Sequence, residues 1–230
     1  MDAVQEFYER GQVLLIDKPL YWTSFDAVRH VRNLVKTKKV GHAGTLDPLA
    51  TGLLIICTGK FTKTINEYQA QEKEYTGTIT LGSVTPSFDL ETEAQNFQPT
   101  DHITEGQIVA ATARFTGAIE QVPPIFSAIK QDGKRLYTLA RKGIEVIPEP
   151  RKITISEFEI TGVELSLVNF KVVCSTGTYI RSLAHDFGAS LGCGGHLSSL
   201  RRTRIGAMLV QDAFSIESFE AKIEALKKDS

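Results

Sequence analysis

Residues 153–175 read ITISEFEITGVELSLVNFKVVCS. Isoleucine, valine, threonine and aromatic side chains recur there with partial two-residue alternation, which is how strands with one buried face are written. The same signal marks LLIDKP at 14–19, EYTGTITLG at 74–82 and RIGAMLVQ at 204–211. Helical segments fall among these without strict alternation. TSFD at 23–26 fits a capping box, with Thr23 accepting from the first turn and Asp26 on its positive end, and a helix is predicted to about Lys36. Its apolar face would hold Ala27, Val28, Val31, Leu34 and Val35, and its other face Arg29, Arg32 and Lys36. TEGQ at 104–107 opens a second helix through about Phe115, GKRLYTLARKG at 133–143 reads as a short helix stopped by Gly143, and a last helix is predicted over 215–228. This order predicts an α+β fold with a mixed, largely antiparallel central sheet flanked by helices, not a doubly wound parallel sheet.

The chain has 230 residues and 42% hydrophobic content, enough to bury the core of one large domain. Residues 122 to about 152 are bracketed by prolines and carry seven Lys or Arg against three acids, so they read as a basic projecting insertion. The longest apolar run, LLIIC at 53–57, is far too short to span a membrane, and the charged start MDAVQEFYERGQ is unlike a secretory signal. A cytoplasmic location is expected. Cys57, Cys174 and Cys193 form no CxxC pair and are expected as reduced core thiols.

A net charge of -1 argues against nucleic-acid binding until its distribution is considered. RHVRNLVKTKK at 29–39 and RRTR at 201–204 contain no acid, whereas acids gather in FDLETEAQ at 88–95 and in SIESFEAKIEALKKDS at 215–230. Segregated charge makes a basic face on a neutral protein, although a single such cluster also reads as plain solvated surface.

Residues 41–54, GHAGTLDPLATGLL, place one acid, Asp47, and one base, His42, among three glycines ahead of an apolar tract. A phosphate-binding loop fails on spacing, because six residues separate Gly52 from Gly59 where four are required, and Lys60 is followed by Phe61. His42 and Asp47 have no third local ligand, so no metal site is predicted. Two readings remain: Asp47 caps a helix with Pro48 in its first position and LATGLL as its first turns, or Asp47 is a catalytic carboxylate that Pro48 holds outside the helical basin.

This loop resembles the signature of the TruB family of pseudouridine synthases, GHxGxLDPxAxGxL, whose single aspartate is catalytic. LLIDKP resembles that family's amino-terminal Lys-Pro motif, and EKEYTGTITLG at 72–82 its tyrosine strand. PPIFSAIKQDGKRLYTLARKGIEV resembles its RNA-gripping thumb, and CSTGTYIRSLAHDFGASLGCGGHLSSLRRTRIG at 174–206 completes the set, which spans about residues 11–212. The resemblance implies the pseudouridine synthase fold with the basic insertion as a thumb, and a uridine isomerase acting without cofactor on the T loop of tRNA, at position 55.

Carried onto this chain, the resemblance makes Asp47 the nucleophile or proton-handling carboxylate, Tyr75 the residue stacking on the target base, and Arg181 the partner of Asp47. His42 would help hold the flipped nucleotide, Leu200 would pack against the uracil with Tyr179 nearby, and Lys18 and Pro19 would support the site. Arg29, Arg32, Lys36, Lys130 and Arg141 are the expected RNA-contacting cations. The tRNA T stem-loop is the expected partner, with no membrane and no protein partner, and the chain is expected to be a monomer. TruB enzymes commonly add a C-terminal RNA-binding PUA domain, and a single catalytic domain without it is expected here. VTPSFD at 84–89 departs from the family's usual Thr-Asp-Thr-x-Asp run, keeping Thr85 and Asp89 but placing Pro86 and Ser87 between them. Two rival readings are a non-catalytic tRNA-folding factor and an enzyme acting on free nucleotides.

Overall fold

The computed structural model describes residues 3–127, 130–131, 134–135 and 148–228. In chain order the elements are α1 (Ala3–Arg10), β1 (Val13–Lys18), α2 (Ser24–Val35), β2 (Val40–His42), β3 (Ala50–Thr58), α3 (Ile65–Ala70), β4 (Lys73–Leu81), α4 (Glu105–Ala111) and β5 (Gly117–Gln121). They continue with β6 (Lys130–Gln131), β7 (Lys134–Arg135), β8 (Arg151–Glu164), β9 (Leu167–Cys174), α5 (Ile180–Ser190), β10 (Gly195–Ile205), β11 (Met208–Leu209) and α6 (Ile216–Lys228). Two compact units are formed, one from Met1–Tyr75 with Leu200–Ser230 and the other from Thr76–Ser199.

In the first unit β3 is the organising strand. β1 runs antiparallel along one edge, from Val13 opposite Cys57 to Lys18 opposite Gly52. The other edge is shared: β10 pairs in parallel with its start, Leu200 opposite Ala50 and Arg202 opposite Gly52, and β2 pairs antiparallel with its end, His42 opposite Ile56. Both faces of β3 are covered. Leu54 and Ile56 pack under α1, α2 and α6 with Tyr8, Val31, Phe219 and Ile223, while Leu53, Ile55 and Cys57 pack on the opposite side with Ala43 and Ile205. A strand buried on two faces has no polar alternation to display, which is why its sequence is a continuous apolar run.

That run corrects the helix-capping reading of Asp47. No helix follows it, because Pro48 and Leu49 form a turn and Ala50 already belongs to β3. The capping box of α2 is present as read, with Asp26 N–H donating to Thr23 Oγ1 at 3.0 Å and Thr23 N–H to Asp26 Oδ2 at 3.0 Å.

In the second unit the strand order is β10–β4–β9–β8–β5. The stretch at 153–175 forms most of β8 and β9, an antiparallel pair turning at Leu165, where φ is 54°. Phe158 of β8 meets Phe115, Phe170 and Phe187 edge-on, which seats the helical segments against the strands. The strands are mostly antiparallel, with β3 and β10 a parallel pair, so the architecture is the mixed α+β sheet flanked by helices expected from sequence.

Two local expectations need amendment. RIGAMLVQ is not one strand: β10 ends at Ile205, and β11 folds back on it around Gly206, whose φ is +55°. The helix expected at 133–143 does not include Lys134–Arg135, which form a strand paired with β6, and the rest of that stretch lies outside the described residues. Arg141 lies outside the described residues, as does the side chain of Lys130. The three cysteines are buried and free.

Candidate active site

The GHAGTLDP loop leaves β2 at His42 and is tied down residue by residue. Ala43 N–H donates to the Ile55 carbonyl at 2.9 Å, continuing the ladder on β3. Gly44 then turns with φ +90°, a conformation strained for any residue with a Cβ. Leu46 is held at both backbone groups by the buried hydroxyl of Ser24, which accepts from its N–H at 2.8 Å and donates to its carbonyl at 3.1 Å. Ala50 N–H closes the turn on the Asp47 carbonyl at 3.0 Å, and Tyr21 N–H donates to the Pro48 carbonyl at 2.8 Å. Asp47 therefore has a fixed backbone and a half-buried side chain at the head of the most buried strand in the unit.

Two buried cations stand behind it. Arg202 is 1% exposed and donates from Nε to the Leu53 carbonyl at 2.8 Å, from Nη1 to Thr45 at 3.4 Å and from Nη2 to Gly44 at 3.2 Å. These carbonyls belong to the loop and to the part of β3 between its two edge partners, so one guanidinium spans the interval between β10 and β2. Lys18 is fully buried and donates from Nζ to the carbonyls of Pro19 at 2.9 Å and Trp22 at 2.6 Å. Burial lowers the Lys18 ammonium to about 8; the Asp47 carboxylate opposes that fall and the Arg202 guanidinium adds to it. Lys18, Asp47 and Arg202 thus share one electrostatic corner. Burial likewise pushes the His42 imidazole below its ordinary value, opposed by the Gly44 backbone and reinforced by Arg202.

The remaining sequence-predicted residues fall in several places. Leu200 lies opposite Ala50, and its carbonyl accepts from Thr51 Oγ1 at 3.5 Å. Tyr75 is 9% exposed on β4, beside Glu74, whose carbonyl accepts from Thr203 Oγ1 at 3.2 Å. Tyr179 and Arg181 belong to the second unit. Tyr179 is the N-cap of α5, its N–H donating to Gln121 Oε1 at 2.8 Å and its carbonyl accepting from Gln121 Nε2 at 3.0 Å. The buried Arg181 guanidinium lies 3.6 Å from Asp89 and donates to the carbonyls of Ser87 at 3.2 Å and Phe126 at 3.0 Å. The segment that departs from the family pattern is therefore internally braced, with Thr85 Oγ1 also donating to the Asp89 carbonyl at 2.7 Å.

On α2, Arg29 is exposed and pairs with Asp26 at 2.7 Å, and Lys36 is exposed at the helix end. Arg32 is half-buried and donates to the Val40 carbonyl at 3.3 Å, so it braces β2 instead of standing free on the basic face. Among the described residues no group of three His, Cys, Asp or Glu is placed to hold a metal ion. Sequence reasoning missed Arg202, whose neighbours in RRTR suggested a surface charge; β10 offers no clean alternation, and only its pairing with β3 places Arg202 opposite Gly52 and buries it.

Among solved structures, the fold matches a chain titled as a Cbf5-Nop10-Gar1 complex with a TM-score of 0.78 and 28% identity, covering 99% of this chain and 59% of that one. It also matches an H/ACA RNP bound to a substrate RNA containing 2'-deoxyuridine, with a TM-score of 0.74 and 25% identity over 99% of this chain and 58% of that one. The chain spans less than three fifths of these structural neighbours. Fold and carboxylate-bearing loop together define a pseudouridine synthase. The family model for TruB family pseudouridylate synthase (N terminal domain) matches residues 32–180, and that for the tRNA pseudouridylate synthase B C-terminal domain matches 181–230. Curated relatives named tRNA pseudouridine synthase B are 57% identical in Flavobacterium johnsoniae, over 95% of this chain and 99% of the relative, and 52% identical in Phocaeicola vulgatus, over 92% and 93%. The chain belongs to the TruB family of pseudouridylate synthases.

Proposed function

We propose that this chain isomerises uridine 55 in the T loop of tRNA to pseudouridine, with Asp47 as the catalytic carboxylate. In that reaction the N1–C1′ bond breaks, the uracil turns, and C5 bonds to C1′. C5 loses its proton and N1 gains one, so the sum is an isomerisation with no electron or external atom exchanged. The target base first leaves its stack, at a cost of about a few kcal/mol. Stacking on Tyr75 returns roughly 1–3 kcal/mol of that. His42, neutral at physiological pH through its burial, holds the extruded nucleotide by hydrogen bonding. Leu200 and Tyr179 serve the uracil pocket, and Arg181 supplies positive charge to the reaction. Lys18 and Pro19 support the loop, Arg32 braces β2 through the Val40 carbonyl, and Arg29, Lys36, Lys130 and Arg141 meet the RNA backbone. The protein acts as a monomer on the T stem-loop, in the cytoplasm.

The observation that carries this reading is the fixed turn of Asp47, clamped through Ala50, Tyr21 and Ser24 and backed by Lys18 and Arg202. Such preorganisation serves a group that must act at one place on a substrate, whether it attacks C1′, adds to the ring or removes a ribose proton. The curated relatives carry tRNA in their names, and a structural neighbour was solved with a substrate RNA. The test is tritium release from C5-labelled uridine in tRNA, with chemical mapping of the modified position. Asp47→Asn is expected to abolish release while leaving Tm and RNA affinity close to wild type. Release at the wild-type rate from this variant would eliminate the mechanism. Binding and refolding of tRNA without release by wild type identifies a folding factor, and turnover of free uridine or UMP identifies a nucleotide enzyme.

A further inference from the structure

Leu20–Phe25, which runs from the turn after β1 into the first turn of α2, exposes more apolar surface than its fold requires. Leu20 is 43%, Tyr21 74% and Phe25 59% exposed, whereas Trp22 between them turns inward against the core and meets His30 edge-on at 5.4 Å. Tyr21 also stands at φ +67°, a left-handed conformation that glycine adopts freely and an aromatic residue resists. Phe25 occupies the exposed side of the first turn of α2, where a better helix former would suit the local structure. Two neighbouring positions thus break local preference with no packing in return, which points toward function.

Their placement says which function. Tyr21 N–H donates to the Pro48 carbonyl at 2.8 Å, so its backbone is fixed against the turn that presents Asp47. Phe25 opens the exposed stripe of α2, which continues at helical spacing through Arg29, Asn33 and Lys36. Aromatic rings lie at the end nearest the Asp47 turn and cations follow along the helix. Unpaired RNA offers the complementary order, with splayed bases to stack and a phosphate chain to follow a basic track. The Arg29–Asp26 pair is exposed and weak, so a phosphate can take over the guanidinium.

We propose that Tyr21 and Phe25 form a stacking platform for unpaired nucleobases that flank the target uridine in the RNA substrate. The platform rests on the reading of Asp47 as the reaction centre. It adds a binding surface on the first unit, separate from the flipped uracil itself, and Arg29 and Lys36 extend it toward the phosphates.

The test uses the full chain and a T stem-loop RNA, with Kd measured by fluorescence anisotropy across salt concentrations and wild-type tritium release measured on the same RNA. Tyr21→Gly and Phe25→Ala are each expected to raise Kd about fivefold or more. The slope of log affinity against log salt stays at its wild-type value, because stacking releases no counterions; Arg29→Ala makes that slope shallower. Tyr21→Gly removes the left-handed strain, so its Tm is expected to equal or exceed wild type, which separates lost stacking from lost folding. Tyr21→Trp is expected to keep the affinity. Kd values within twofold of wild type for both Tyr21→Gly and Phe25→Ala, with an active wild type, overturn the platform. So does concentration-dependent dimerisation of wild type that Phe25→Ala abolishes, since the patch then serves a second copy. A wild type that releases no tritium refutes the functional reading instead, and the platform falls with it.

Discussion

The Arg202 guanidinium donates to the Leu53 carbonyl at 2.8 Å, at the point on β3 that neither edge partner reaches. The same group holds the Gly44 and Thr45 carbonyls, so one side chain both completes a sheet edge and fixes the loop carrying Asp47. Arg202→Met keeps much of the volume but strands the buried Leu53 carbonyl, at a cost of roughly 1–3 kcal/mol, and removes the part-buried bonds to Gly44 and Thr45 as well. Urea unfolding is expected to show a loss of at least about 2 kcal/mol. Isomerisation is expected to fall about 100-fold, the scale of a 1 Å misplacement of a reacting group. Arg202→Lys fails similarly, because an ammonium cannot reproduce the planar fork.

Gly52 faces the same arginine from the other direction. A Cβ there would lie 2.3 Å from the Arg202 carbonyl oxygen and 2.8 Å from its nitrogen, and the residue has φ +102°. Backbone atoms on paired strands cannot retreat as a side-chain tip can. Gly52→Ala is expected to destabilise by about 3 kcal/mol or more, visible as a lower urea midpoint, with Asp47 activity lost alongside.

Lys18 gives a pH signature. Its folded value of about 8 lies below the value of about 10.4 for an unfolded lysine. Between those pH values the unfolded chain binds more protons, so this residue makes stability rise with pH across that window, by up to about 3 kcal/mol. Below pH 8 both states are protonated and its contribution is flat. Unfolding free energies of wild type minus Lys18→Met, measured from pH 7 to 10.5, are expected to show that rise, and a level difference plot would refute it.

The exposed cations on α2 make a separate prediction. RNA affinity should fall steeply with salt, and replacing Arg29 and Lys36 together by alanine should reduce the log–log slope by roughly 0.7–0.9 for each phosphate that is no longer neutralised. Arg32→Ala should behave differently, since its guanidinium donates to the Val40 carbonyl and its removal shows mainly in stability. A salt-independent wild-type affinity would remove this face as an RNA track.

Where sequence and structure agree, local rules are complete in themselves. The capping box at Thr23, the alternation at 153–175 and the helical period after Ser215 each name their own element. The Asp47 loop stands out because glycine, proline and a lone acid are legible without long-range pairing. What stays hidden depends on distant strands. LATGLLIICT reads equally as helix or strand until coverage on both faces is known, and Arg202 reads as surface charge until β10 is laid beside β3. β10 itself, GHLSSLRRTRI, mixes small, polar and basic residues with no clean period.

The parallel pairing of β10 with β3 joins Leu200 to Ala50 across most of the chain's length. During synthesis β3, the strand that follows Asp47, can pair early with β1, a near neighbour in sequence, but its second border emerges from the ribosome only after the whole second unit has been made. Pairings this distant are late and slow to form. A nascent or shortened chain lacking Arg202 would therefore carry every residue of the glycine-rich loop and still be unable to aim its carboxylate, so the molecule becomes competent for chemistry only once β10 has been translated and docked.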